Sequence, residues 1–384
     1  MMNNFIFRNP VKLIFGEGEI DRLKKEVKTG TKVMMTYGGG SIRKNGVYEQ
    51  AMENLKHCEV IEFSGIEANP DYDTLIKAIE ICKNEKIDFL LAVGGGSVID
   101  GTKFIAAGVN YDGDPWDFII GKAAVPSSIP FGCVLTLPAT ASEMNNGAVI
   151  SRRSRNEKFA FHSPTGFPVF SILDPKTIYS LPKKQVSNGL IDTYIHTVEQ
   201  YMTTPNSLKL MDRFSEGILQ TLIEIAPKVM ADEMSYEAAA NFMISATMAL
   251  NGFTSMGVDQ DWATHMIGHE LTALHGLDHG TTLAIVYIGT MDILRKPKEV
   301  KLLQYAERVW GISEGNVDER IEAVIQKTEA FFNSLGQATR LSDYGIGEDT
   351  IVEIVKRFRE RNWKLGENGI VTAEVAELIL RSRL

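Results

Sequence analysis

Two short apolar runs, residues 32–37 and 88–93, each end in three consecutive glycines: Gly38, Gly39 and Gly40 after the first, Gly94, Gly95 and Gly96 after the second. A short apolar run that stops at glycine reads as a buried strand, and the glycines let the backbone turn sharply into the next element. Residues 45–55 and 71–84 have helical periodicity, and residues 60–63 form a further short strand. Strand, helix, strand, helix at this spacing requires βαβ units and therefore a parallel sheet. Residues 131–136 and 169–173 read as two more strands.

The pattern changes at Leu181 and Pro182. From Lys184 onward no strand signature remains, and amphipathic helical stretches succeed one another: 185–201, 207–225, 236–253, 262–274, 300–309, 317–335, 350–359 and 372–383. A chain of 384 residues exceeds what one core usually organises. The expectation is an α/β N-terminal domain over residues 1–182 and an all-α C-terminal domain over residues 183–384.

Composition narrows the function classes. The net charge of −9 argues against nucleic acid and against an anionic membrane surface. No apolar run approaches the ~20 residues that span a bilayer, and the first residues, MMNNFIFRNPVK, lack the form of a signal peptide. Cys58, Cys82 and Cys133 form no C-x-x-C pair and no even-numbered disulfide framework, which fits a reducing compartment. A cytoplasmic protein is expected.

Four of the seven histidines fall in one short window: His265, His269, His275 and His279. A fifth, His196, stands four residues after Asp192, so the two share a helical face. His265 and His269 are also four apart; Gly276 then breaks the helix, and His279 opens the next, with Asp278 placed to cap it. Asp192, His196, His265 and His279 make a site of three nitrogens and one oxygen, suited to Fe²⁺ or Zn²⁺ and too rich in nitrogen for Mg²⁺ or Ca²⁺. The order His265-Met-Ile-Gly-His269-Glu270 is not H-E-x-x-H, which disfavours a metallohydrolase. His57 and His162 read as hydrogen-bonded core residues.

The second glycine run continues as Gly94-Gly95-Gly96-Ser97-Val98-Ile99-Asp100 into a helix. Glycines admit a phosphate close to the backbone, and a helix N-terminus offers free N–H groups, so Gly95, Gly96 and Ser97 read as a pyrophosphate cradle. Ile99 spoils the G-x-G-x-x-G pattern, so this is not the ordinary dinucleotide fingerprint. Gly39, Gly40 and Ser41 end the earlier strand with no acid to read a ribose 2′-OH, a composition that tolerates a 2′-phosphate. The hydroxyl-rich segment from Thr136 through Ser142, followed by Asn145, is a candidate contact for the nicotinamide ribose or carboxamide.

The segments TYGGGSIRKNGV, LLAVGGGSVIDGTKFIAA, LTLPATASEMNNGAVIS, GLIDTYIHTVEQY and DWATHMIGHELTALHGLDHG together resemble the iron-containing alcohol dehydrogenases, closest to the branch of NADPH-dependent aldehyde reductases and butanol dehydrogenases. The resemblance covers essentially the whole chain. It implies a Rossmann-like, dehydroquinate synthase-like sheet in the first half and metal ligands at Asp192, His196, His265 and His279. It also implies a cofactor site that takes in Asp100 and Lys158, with Leu181 at the domain boundary assigned to the same site. NADP(H) is expected over NAD(H), because relatives that prefer NAD usually carry Asp where this chain has glycine. A homodimer and a small aldehyde or alcohol substrate follow from the same resemblance.

The reaction so implied is R–CHO + NAD(P)H + H⁺ ⇌ R–CH₂OH + NAD(P)⁺. His269 is the first candidate to pass the proton and His275 the second. Phe253 and Trp262 are expected to line an apolar substrate pocket. The competing readings are a glycerol-type polyol dehydrogenase or a lyase on the same scaffold, and a non-catalytic metal- or nucleotide-binding protein.

Overall fold

The computed structural model describes residues 3–205 and 208–384. Its chain separates into two compact units. The α/β unit comprises residues 8–182 and 235–251, and the helical unit takes residues 183–234 and 252–384 together with the segment ending at Phe7. A single cut at residue 182 therefore differs from the structure in two places. The segment ending at Phe7 joins the helical unit, and the Tyr236–Ala249 helix belongs to the α/β unit. The helix is tied there by a buried hydrogen bond, Thr247 Oγ1 to Glu143 Oε1 at 2.6 Å, which its amphipathic pattern gives no hint of.

The α/β unit is built on a six-stranded sheet of order β1-β8-β5-β4-β2-β3. The strands are β1 (Lys12–Phe15), β2 (Lys32–Tyr37), β3 (Glu59–Phe63), β4 (Phe89–Gly95), β5 (Phe131–Leu137) and β8 (Phe170–Leu173), and every pair is parallel. β2, β4 and β5 are buried along nearly their whole length, as parallel strands covered on both faces must be. Tyr37 lies opposite Val93 and Gly95 opposite Leu137. The segments after β2, β4 and β5 thus leave the sheet at one edge, the carboxyl ends of neighbouring strands, where open α/β sheets bind ligands.

Sequence periodicity overlooked three strands. β1 is a four-residue edge strand with no fully buried position. β6 (Gly147–Arg152) and β7 (Glu157–His162) form a separate antiparallel hairpin, closed through Asn156 in the left-handed region. His162, at the end of that hairpin, is exposed rather than a core residue. His57 accepts the core reading better, since its Nε2 bonds the Val27 carbonyl at 2.8 Å.

In the helical unit the Ala263–His275 helix carries two opposed faces. Ala263, Ile267 and Leu271 stand four apart and enter a core with Ile354, Phe358, Ile379 and Leu380. His265 and His269 are offset by two residues, about 200° around the helix, and so face the other way. Cutting Leu271 to alanine would cost about 2–5 kcal/mol. The next helix, His279–Ile293, is buried at every position from Gly280 through Met291, so it has no polar face and showed no amphipathic signal beyond its start. The helix expected to begin at Ser207 is described as Lys209–Val229; Ser207 itself lies outside the described residues. Among the described residues no helix is long and apolar enough to cross a membrane.

Candidate metal centre and cofactor segments

The Lys183–Tyr201 helix carries Asp192 and His196 on one face, the Ala263–His275 helix brings His265, and His279 begins the following helix after the Gly276 turn. Gly276 has φ +67°, the left-handed conformation that lets the chain reverse between the two histidine-bearing helices. Three imidazole nitrogens surround one carboxylate oxygen. Asp192 Oδ1 lies 3.5 Å from His196 Nε2, 3.7 Å from His265 Nε2 and 3.5 Å from His279 Nε2.

These separations are too long for good hydrogen bonds. They are close to the ~3.4 Å between ligand atoms bonded at about 2.1 Å to one tetrahedral ion. Ligand atoms of Asp192, His265 and His279 fall within 4.8 Å of one another. His265 Nε2 is buried and has no hydrogen-bond partner among the described residues, a costly arrangement unless something else takes its lone pair. The donors of Asp192, His265 and His279 fit one divalent ion, and His196 lies outside that group, connected to it by its 3.5 Å approach to Asp192 Oδ1.

Burial pushes the His265 imidazolium pKa down, but Glu199 and Asp192 outweigh it and lift the ring to about 9 in the absence of an ion. Glu199 went unnoticed in the sequence although a signal existed: it stands seven residues after Asp192 and three after His196, on the same helical face. Its carboxylate holds His265 Nδ1.

His269 is buried beside the cluster, its ring centroid 5.3 Å from that of His279 and 6.3 Å from that of His265. His275 is exposed at the helix end and bonds Thr350 Oγ1 at 2.9 Å, off the face shared by His265 and His269. Trp262 meets His265 edge-on, with centroids 5.3 Å apart, whereas Phe253 makes edge-to-face contacts with Phe7 and Phe214. Asp278 does not cap its helix through its side chain; it pairs with Lys184 at 2.7 Å and accepts from Asn188 instead.

In the α/β unit the glycines divide by cause. A Cβ on Gly94 would lie 2.6 Å from Val98 Cγ2, one on Gly95 2.8 Å from Leu137 Cβ, and one on Gly96 2.3 Å from Thr140 Oγ1. Close packing of strand, turn and helix alone demands glycine at these three. The Gly96–Gly108 helix that follows has no side-chain cap, so its first N–H groups and Ser97 are presented at the sheet edge. Gly40 has φ +90°, which explains it conformationally. Gly39 has no positive φ and, among the described residues, nothing within 4 Å of a Cβ, so no described neighbour accounts for it.

Other expected cofactor contacts are spent within the protein. Asp100 accepts from Ser142 Oγ at 2.5 Å and from the Val149 N–H at 2.9 Å, and Ser142 is itself buried. Asn145 accepts from Lys103 Nζ and the Gly147 N–H and donates to the carbonyls of Thr140 and Leu250. Lys103, unnoticed in the sequence, is fully buried, and desolvation draws its pKa down to about 8 against the pull of Asp100. Thr136 is buried near the end of β5, and Leu181, half-buried, donates its N–H to the Ile178 carbonyl. Lys158 is buried on β7 and donates to Asn69 Oδ1 at 2.8 Å; the Asn69 N–H in turn points to Ser97 Oγ at 3.4 Å. That arrangement puts Lys158 on the Ser97 side of the sheet edge.

Comparison with known proteins gives the same direction. The family described as iron-containing alcohol dehydrogenase matches residues 10–175, and its C-terminal counterpart matches residues 186–382. The chain is 52% identical to the NADPH-dependent aldehyde reductase YqhD of Escherichia coli, over 98% of this chain and 99% of that protein. It is 44% identical to the probable NADH-dependent butanol dehydrogenase 1 of Bacillus subtilis, over 93% of each. A crystal structure of the E. coli protein superposes with a TM-score of 0.98 at 51% identity, covering 100% of this chain and 99% of that one. An NADH-dependent butanol dehydrogenase A from Thermotoga maritima does so with a TM-score of 0.95 at 36% identity, covering 100% and 99%. With family matches across both halves and relatives this similar along the whole length, the chain belongs to the iron-containing alcohol dehydrogenase family and is an oxidoreductase that interconverts alcohols and aldehydes.

Proposed function

We propose that this enzyme reduces small aliphatic aldehydes such as butanal to primary alcohols with NADPH, using one divalent ion, Fe²⁺ or Zn²⁺, held by Asp192, His196, His265 and His279. The observation that carries the reading is the ring of three imidazole nitrogens, 3.5–3.7 Å from Asp192 Oδ1, with His265 Nε2 lacking a hydrogen-bond partner among the described residues. The net reaction is R–CHO + NADPH + H⁺ → R–CH₂OH + NADP⁺. When bound, the ion supplies Lewis acidity to the carbonyl oxygen and the nicotinamide supplies hydride.

The chain's own groups do the rest. Asp192 brings a carboxylate oxygen among three imidazoles, a mixed oxygen and nitrogen set that favours a divalent cation over water. Burial of Asp192, His196 and His265 keeps solvent from competing for those positions. His269 is our candidate to hold and pass the proton that the product hydroxyl needs, a reading supported by its burial with its ring 5.3 Å from that of His279. His275, exposed and bonded to Thr350, is the weaker candidate.

For the cofactor, Gly95, Gly96 and Ser97 offer N–H groups of a helix start to a pyrophosphate. Gly39, Gly40 and Ser41 leave open space without an acid where a 2′-phosphate would lie. The name of the E. coli relative supports NADPH, and those of the Bacillus and Thermotoga relatives name NADH, so cofactor choice is the discriminating measurement. We place the enzyme in the cytoplasm as a homodimer. The test is steady-state turnover with NADPH and NADH against butanal, other short aldehydes and, in the reverse direction, glycerol. A higher kcat/KM with NADPH and butanal is expected. A higher value with NADH, or with glycerol as the best substrate, contradicts the proposal.

A further inference from the structure

The Ala263–His275 helix starts in an unusual way. Trp262, its N-cap residue, sits at φ +65°, a conformation that a bulky side chain adopts only when its surroundings enforce it, and it provides no side-chain cap. Asp261 Oδ1 accepts the Ala263 N–H at 2.9 Å, and the next two N–H groups of the first turn are met from another helix. Glu199 Oε1 accepts the Thr264 N–H at 2.7 Å, and Glu199 Oε2 accepts the His265 N–H at 3.3 Å. The same Oε2 is bonded to His265 Nδ1.

Nδ1 donates to the Glu199 carboxylate, so the nitrogen left to give up its proton to an ion is Nε2, on the Asp192 side. The Glu199 main chain adds a fourth tie, since its carbonyl accepts the Asp261 N–H at 2.9 Å. Asp261 is in turn fixed by Lys298 Nζ at 2.7 Å, which also binds the Met202 carbonyl at 2.7 Å. The cavity on this side of Glu199 measures only about 10 Å³, room for one water at most. Bulk solvent therefore does not answer the Glu199 charge; these N–H groups do.

Resting on the metal reading above, we infer that Glu199 is a positioning residue: it sets the tautomer and ring direction of His265 so that Nε2 points at the ion, and it anchors the helix that carries this ligand. Partners that orient a metal-bound histidine typically change affinity by about 10–100-fold when removed. Glutamine at 199 keeps the shape but has one acceptor oxygen for three N–H donors, and alanine has none.

The test uses full-length protein stripped of metal. Zn²⁺ affinity is measured by competition with a chromogenic chelator, and the coordination is read from the visible absorption of the Co²⁺ form. Folding of each stripped variant is checked by circular dichroism. We expect Glu199→Gln to weaken Zn²⁺ binding about tenfold and Glu199→Ala up to about 100-fold, each with an altered Co²⁺ spectrum. Wild-type affinity and an unchanged spectrum in the folded variants, even with a lowered melting temperature, would overturn the inference and leave the metal reading standing. If the alanine variant does not fold, the glutamine variant alone decides by the same criterion. Failure of the wild-type protein to bind Zn²⁺ or Co²⁺ overturns both.

Discussion

The two units carry their candidate chemistry in different ways. In the helical unit the chemistry lies in side chains: Asp192 Oδ1 stands 3.5–3.7 Å from one ring nitrogen each of His196, His265 and His279. In the α/β unit the candidate groups are largely backbone. Most of the side chains first expected to touch cofactor, Asp100, Ser142 and Asn145 among them, are satisfied by the protein itself. A metal site is written in side chains, whose donor atoms must stand at ligand spacing. A nucleotide site is written in N–H groups and in space, and the same glycines also serve close packing. Gly39, with nothing among the described residues within 4 Å of a Cβ, is the glycine that close packing does not explain.

The contrast can be broken at its strong end. His265→Ala removes a ligand, and since Lewis acidity is worth several kcal/mol, activity with butanal should fall about 10³-fold with metal content falling in parallel. Full metal occupancy by elemental analysis would show that the histidines converge for another reason. His269→Ala should retain metal yet lose about 100-fold in kcat, the usual contribution of a proton-transfer group. An unchanged kcat would remove His269 from the mechanism.

The α/β unit can be sharpened with a pair of glycines. Gly96→Ala drives a Cβ to 2.3 Å from Thr140 Oγ1 and should lower stability by about 1–3 kcal/mol in thermal or denaturant unfolding. Gly39→Asp meets no neighbour, so stability should hold, while a carboxylate near the 2′-phosphate should cut kcat/KM for NADPH about tenfold and spare NADH. Equal losses with both cofactors would move the 2′-phosphate elsewhere. The smallest effect belongs to His275→Ala: the residue is exposed and bonded to Thr350, so activity should stay within about twofold of wild type, a change of under about 0.5 kcal/mol.

Much of this was legible beforehand because it follows from spacing. Asp192 and His196 four apart, His265 and His269 four apart, and Gly276 before His279 fix which side chains share a face and where the chain turns. Glu199 follows the same rule but was passed over, since an acid on a helix is ordinarily a solvated residue. The His279–Ile293 helix hid because uniform burial erases periodicity, and the β6–β7 hairpin because its strands are short and outside the main sheet. The fate of Asp100 was not readable at all. Its partners, Ser142 and the Val149 N–H, lie 42 and 49 residues away, and only the folded chain brings them together.

The central claim is that one divalent ion at these four residues is needed for aldehyde reduction. It is tested most directly by stripping the purified enzyme with a chelator and restoring Fe²⁺, Zn²⁺, Mn²⁺ or Co²⁺ separately under anaerobic conditions, while following butanal-dependent oxidation of NADPH. Because the ion acts without changing oxidation state, activity should vanish on stripping and return to differing extents with several of these ions. Full activity in enzyme verified to be free of metal would contradict the account.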